Sequence, residues 1–367
     1  MVEHKNALHW LSLQAFILSS ALLATGTKAL ADPAEGRPHF HPDGTASVPG
    51  FELPPSLLSS PSAQEAMRVR AAVTIQPAKM EPDIAKSRAG LAMALAPKVA
   101  QITAAFPVDV TEDEIAGVPV RRVTAADRPV NSDSILINLH GGAFNTCWES
   151  CSIIESAPIA VTTEREVISV NYRMAPEFKH PAGVDDVLSV YQALLQDYAP
   201  EQIGIFGCSA GGALTAQTAA ALVQNSLPLP AGIGIFGAGG VRFTTGDSSF
   251  IAGNIDGSFP PPNVLQAMGI DLTRGYFDGI DYDDPIVSPA LHPEVMAGFP
   301  PTLLITGTRA MDMSPAIVTH SALLNADADS QLIVGEGMGH CYIYSPDLQE
   351  AQDAYQVIAR FFDRRLR

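Results

Sequence analysis

Short β-like runs, most of them apolar throughout, recur along the chain at 118–123, 134–139, 167–170, 203–206, 233–236, 302–305 and 331–334. A strand with one wet face alternates apolar and polar side chains, so runs without alternation predict strands buried on both faces. Between them lie stretches with helical spacing at 183–195, 209–223, 315–325 and 348–366. In the last of these, Leu348, Ala351, Tyr355, Ile358 and Phe362 share one stripe. Strand and helix in alternation predict an α/β fold with a mostly parallel central sheet flanked by helices. No internal repeat of fixed period interrupts that order.

The texture differs ahead of the first run. Residues 1–31 combine a polar start holding Lys5, an apolar stretch from Leu11 to Ala24 broken by a few Ser, and Ala29-Leu30-Ala31. This three-part pattern predicts a signal peptide for export, cut before Asp32. A retained membrane anchor takes about 20 apolar residues, more than this stretch offers. Residues 32–61 are rich in Pro, Gly, Ser and Asp and predict an extended, exposed lead that includes His39-Phe40-His41. Residues 62–106 turn rich in Ala, Met and Leu and predict two or more helices. The organisation is therefore a signal over 1–31, a lead with N-terminal helices over 32–110, and a main domain over 111–367. Within that domain, 237–299 separates two strands by more than a structureless loop allows, so it reads as an inserted subdomain. Inserts of this kind tend to lie over ligand sites.

Composition narrows the class. Of 367 residues 47% are hydrophobic and 17% charged, which builds a large core and excludes a disordered or fibrous chain. With 22 Lys and Arg against 39 Asp and Glu, the net charge of −17 repels phosphate backbones and anionic headgroups. No nucleic-acid partner and no membrane span are expected. Export permits disulfides among Cys147, Cys151, Cys208 and Cys341. Cys147 and Cys151, four residues apart, can be bridged in a turn but only with distortion in a straight helix. No second pair of Cys or His stands at ligand spacing, so neither a metal nor a cofactor is predicted.

The strongest chemical signal is the run from Ile203 to Gly212, IGIFGCSAGG, a strand entering a helix through G-x-S-x-G. Its glycines allow the sharp turn that lifts the Ser209 hydroxyl above the strand ends, where the helix directs its dipole and free N–H groups. Upstream, a strand ends in His140-Gly141-Gly142-Ala143-Phe144. Consecutive glycines there leave N–H groups bare for a developing oxyanion, and Gly141, Gly142 and Ala210 are the predicted donors. His140 reads as a brace of that loop. Downstream, a strand leads through a Gly-rich loop to His340, the predicted general base. His292 competes only from within the insert and reads as structural.

His140-Gly-Gly-Ala-Phe, Asn171-Tyr-Arg-Met-Ala-Pro-Glu177 with Pro181-Ala and Asp185-Asp186, Gly207-Cys-Ser-Ala-Gly-Gly212 and Gly337-Met-Gly-His340 occur in this order. From Val118 to the C-terminus the chain thereby resembles the hormone-sensitive-lipase-like esterases and lipases of the α/β-hydrolase fold. The resemblance implies a carboxylic ester hydrolase working through an acyl-enzyme on a small-molecule ester. It also implies a helical cap built from the N-terminal helices and the insert, and Arg173, Glu177 and Asp186 as braces beneath the site.

One position departs from that pattern. After Thr306-Gly-Thr-Arg309 the family places its triad carboxylate, and this chain has Ala310, with Asp312 two residues on. Asp312 is the predicted replacement, reaching the Nδ1 side of His340, Glu336 is a weaker candidate because it sits close along the loop to the histidine, and a slower Ser209–His340 dyad without an acid is the further alternative. The departure leaves open a rival reading: a hydrolase-fold protein that binds an apolar small molecule and has lost turnover. The aromatics of the insert, Phe243, Phe250, Phe259, Tyr276, Phe277 and Tyr282, fit either a substrate pocket for neutral short- to medium-acyl esters or the insert's own core.

Overall fold

The computed structural model describes residues 36–71, 80–256 and 259–366, so the predicted signal over 1–31 lies outside the described residues. Residues up to Pro54 form a unit of their own. Its described part is an exposed hairpin of two-residue strands, His39–Phe40 and Ala46–Ser47, in which His41 Nε2 meets Ser47 Oγ at 2.8 Å. The His39-Phe40-His41 cluster is thus part of a surface turn.

The second unit, from Pro55 on, is built on eight strands: β1 Val108–Ile115, β2 Val118–Ala125, β3 Asn131–Leu139, β4 Arg165–Val170, β5 Ile203–Cys208, β6 Gly232–Phe236, β7 Thr302–Gly307 and β8 Ser330–Gly335. They order as β8-β7-β6-β5-β3-β4-β2-β1. The pairings of β1 with β2 and of β2 with β4 are antiparallel, and the rest are parallel. Every residue of β5, β6 and β7 is buried, which is why those runs carry no polar alternation.

Strand β1 escapes the hydrophobic pattern, since VDVTEDEI reads as polar chain. Its acidic side chains have partners on β2: Glu112 pairs with Arg121 at 2.7 Å and Asp113 with Arg122 at 2.6 Å. Charge along an edge strand also discourages pairing with another chain.

Ten α-helices and three short 3-10 turns complete the described unit: α1 Pro61–Ala71, α2 Ile84–Ala105, α3 Trp148–Thr163, α4 Ala182–Leu194, α5 Ala210–Gln224, α6 Asp247–Ile255, α7 Pro262–Ala267, α8 Pro293–Met296, α9 Met313–Asn325 and α10 Gln349–Arg365. The four helices predicted between strands appear within two residues of their expected bounds. Helix α3 has no counterpart in the pattern, because it is buried on nearly all sides and so lacks a polar face to set a period.

Alternate residues of the strands feed two cores. Ile135, Ile137, Ile205 and Ile235 pack with α4 and α5 on one face, and Leu136, Phe206, Phe236 and Ile305 pack with α3 and α10 on the other. The predicted stripe of α10 supplies Tyr355, Ile358 and Phe362 to the second core.

Helix α2 is tied to the body by arginines. Arg88 on α2 donates to Asn145 O at 2.8 Å and to both Glu177 carboxylate oxygens at 2.8 Å. Arg274 of the insert donates to the Ser87 hydroxyl at 3.3 Å. Glu177 is therefore a half-exposed anchor for α2 and not the brace beneath the site that the resemblance implied. Arg173 and Asp186 do pair, at 2.9 Å, and Asp186 also accepts the Arg173 N–H at 2.7 Å. The insert's aromatics divide. Tyr276 is fully buried, stacks on Phe144 at 4.6 Å and accepts the Gly183 N–H through its hydroxyl oxygen, so it serves as core. Phe243 and Phe259 face His340, and Phe250 is about half exposed.

Candidate active site

Ser209 sits between β5 and α5 with φ 61° and ψ −124°, outside the ordinary regions for a side-chain-bearing residue. The turn is held by a 2.9 Å bond from Ser209 N–H to Phe236 O on the neighbouring strand and by the Ser209 carbonyl accepting Ala213 N–H. Gly211 is what allows α5 to run so close to β3, since a Cβ there would lie 1.7 Å from Leu139 O.

The predicted groups converge. His340 Nε2 lies 2.9 Å from Ser209 Oγ, and His340 Nδ1 lies 2.6 Å from Asp312 Oδ1. A carboxylate only accepts, so the Nδ1 proton faces Asp312 and leaves Nε2 to accept the serine hydroxyl. The other carboxylate oxygen takes the Thr306 hydroxyl at 2.5 Å, from the end of β7. Asp312 is fully buried and its place just before α9 carries it to the histidine. Sequence reasoning did not single out Thr306, and a hydroxyl at the end of the acid-bearing strand was the available signal. Glu336 makes no hydrogen bond to His340.

The donor loop needs one correction. Gly141 N–H, predicted to face an oxyanion, donates to Glu155 Oε1 at 2.8 Å and is spent. Among the described residues nothing accepts from the N–H groups of Gly142, Ala143 or Ala210. The two loop donors are aimed by their own peptide carbonyls, because N–H and C=O point oppositely across a trans peptide. Gly141 O is held by His140 Nδ1 at 2.7 Å, and Gly142 O accepts from Asn145 N–H at 3.1 Å and Thr146 N–H at 3.0 Å. Ala143 was missed because a backbone donor needs no particular side chain, and the glycines drew attention to the wrong plane.

His140 braces this loop as expected. Its ring stacks on Tyr172 at 4.5 Å, and burial pulls it down to about 4, so it is neutral near pH 7. His292 stays in the insert, against Asp283 O at 2.7 Å.

All four cysteines are bridged. Cys147–Cys151 closes the turn that starts α3, resolving the open alternative in favour of the turn. Cys208–Cys341 joins the residue before Ser209 to the residue after His340, a pairing the spacing did not reveal. No group of side chains suited to a metal ion occurs among the described residues.

A mostly parallel eight-stranded sheet, a serine on a strained strand-to-helix turn and a histidine on a late loop define the α/β-hydrolase class. The chain belongs to the alpha/beta hydrolase fold family whose pattern matches residues 136–344. It is 26% identical to an esterase of Acinetobacter venetianus over 73% of this chain and 88% of that protein. It is 32% identical to a versiconal hemiacetal acetate esterase of Emericella nidulans over 50% of this chain and 64% of that one. The solved structure of esterase E25 superposes with a TM-score of 0.75 at 29% identity, covering 88% of this chain and 99% of the other. An esterase of the bacterial hormone-sensitive lipase family shares the fold at a TM-score of 0.70 and 24% identity, covering 85% of this chain and all of its own. By these relationships the chain is a hydrolase of the esterase type.

Proposed function

We propose that the protein hydrolyses neutral carboxylic esters with short to medium acyl groups through an acyl-enzyme on Ser209. The observation that carries this reading is the chain Asp312 Oδ1, His340 Nδ1, His340 Nε2 and Ser209 Oγ at 2.6 and 2.9 Å, beside three unspent N–H donors. Ser209 Oγ attacks the carbonyl carbon while its proton passes to His340 Nε2, and Asp312 steadies the cation that forms. The charge gathering on the carbonyl oxygen is met by the N–H groups of Gly142, Ala143 and Ala210 at the positive end of α5. His340 then gives its proton to the departing alcohol. Water, deprotonated by the same nitrogen, attacks the acyl carbon and releases the acid.

Short acyl groups are supported by relatives named as acetate esterase and acetyl-hydrolase. The Phe259 and Phe243 rings, with centroids 5.2 and 6.3 Å from the histidine, add apolar surface beside it. Helices α1 and α2 and the insert form the cap in this reading. Ala310 motivated the alternative of a binding protein without turnover, and that motive weakens with Asp312 in place against Nδ1. Two disulfides favour an oxidising compartment, in keeping with export by the segment 1–31.

A fluorophosphonate probe should label Ser209, and Ser209→Ala should lower p-nitrophenyl acetate turnover by about 10⁴-fold or more. Folded, purified protein that gives no adduct would overturn the proposal. So would a best rate on emulsified long-chain lipid, for the acyl-length part.

A further inference from the structure

Glu155 lies on α3, is 4% exposed, and makes no hydrogen bond to Ser209 or His340. It nevertheless accepts four hydrogen bonds. Oε1 takes the Gly141 N–H at 2.8 Å and the Tyr344 hydroxyl. Oε2 takes the Asn138 amide at 3.0 Å and the Cys208 N–H at 3.1 Å. The donors belong to different parts of the site: Asn138 to the end of β3, Gly141 to the donor loop, Cys208 to the residue before the nucleophile, and Tyr344 to the segment just beyond the base.

Ionised, as it is above about pH 7, this carboxylate with its lone pairs filled is a rigid acceptor, and each donor it holds fixes a peptide plane or a ring. The plane of Gly141 N–H leads directly into the two planes that carry the oxyanion donors. The plane of Cys208 N–H leads directly into Ser209. A single side chain thereby ties the three segments whose spacing governs attack on an ester.

We propose that Glu155 is the positioning residue of this hydrolase, holding the oxyanion donors, Ser209 and the His340 segment in one register. The proposal rests on the reading that Ser209 and His340 react. It goes beyond that reading in assigning the alignment to a residue that touches neither. Gln at this position keeps the shape but turns one oxygen into an NH₂ group facing two N–H or O–H donors, so one pair must part. Oxyanion donors act on charge that exists only near the transition state, so their misplacement lowers kcat and leaves KM nearly alone.

The test, run near pH 8 where Glu155 is ionised, compares wild type, Glu155→Gln, Tyr344→Phe and Ser209→Ala. The readouts are kcat and KM on p-nitrophenyl acetate, fluorophosphonate labelling, and the Ki of phenylboronic acid, which forms a tetrahedral adduct with the serine. Glu155→Gln should lower kcat by roughly 10–10²-fold, the scale of an ångström of misplacement, with KM within about twofold and the boronate Ki raised in parallel. Tyr344→Phe removes one of the four donors, and no other partner of that hydroxyl is seen among the described residues, so it should act in the same direction by several-fold even if Glu155→Gln fails to fold. Unchanged kcat in a folded variant, or a loss carried by KM with the boronate Ki unmoved, overturns the proposal. A wild type with neither adduct nor turnover overturns the esterase reading itself, whereas a wild type that labels beside unaffected variants overturns only the role of Glu155.

Discussion

The loop after β3 offers backbone hydrogens to the site, whereas the loop after β7 offers a side chain. In the first, the useful atoms are the Gly142 and Ala143 N–H groups, and their planes are held by His140, Asn145 and Thr146. A one-residue shift would turn a donor away, as it does for Gly141. In the second, the useful atom is a carboxylate oxygen at the end of a rotatable side chain. There the acid stands two residues beyond the position the resemblance implied and still meets Nδ1 at 2.6 Å. Backbone functions are strict in register because peptide planes have no reach. Side-chain functions can move along the chain as long as their atoms arrive at the same point.

The largest expected effect breaks the tolerant side of this comparison. Asp312→Asn should lower kcat by about 10³–10⁴-fold, because an amide no longer favours the histidine tautomer that accepts the serine proton. If position 310 remains a working alternative, adding Ala310→Asp to that variant should recover at least tenfold. Steady-state kinetics of the single and double variants check both statements, and a double variant no better than the single would show that the move to 312 is fixed by the loop.

The strict side is sharpened by Gly142→Ala. Gly142 has φ +116°, and a Cβ there would lie 2.2 Å from Thr146 O and 2.7 Å from Cys147 Cβ. The backbone must give way, so kcat should fall by about 10²-fold with some loss of melting temperature. Full activity in this variant would contradict a register held by the backbone.

The smallest effect concerns the groups that hold the strict loop. Burial pushes Glu155 up to about 7 from its ordinary 4.5, against the pull of its four donors. Between about 4.5 and 7 the folded state therefore keeps a proton that the unfolded chain has released, and this contribution to stability falls as pH rises. His140 has the opposite sign, since burial lowers it to about 4 from 6.5 and stability rises with pH across that window. Glu155→Gln removes the first contribution and keeps the second. Its melting temperature should climb more steeply than that of wild type between about pH 4.5 and 6.5, and parallel curves would refute the assignment.

What could be read without the fold was local. The buried strands β5, β6 and β7 announce themselves because unbroken apolar runs have few other uses, and Ser209 is marked by the glycines its own turn requires. His340 is marked by the strand and Gly-rich loop ahead of it. Strand β1 and helix α3 stayed hidden because one is too charged and the other too evenly buried to show a period.

The sequence by itself determined the α/β class and the order of the strands that bear the motifs, and it singled out Ser209 and His340 as the proposed nucleophile and base, since each depends on neighbours within a few positions. Only the tertiary structure decided which amide hydrogens stay unspent, which cysteines join and whether Asp312 arrives at His340. Each of these is a meeting of atoms from separate strand ends, settled by the direction of a peptide plane or the reach of a side chain. Spacing along the chain carries neither.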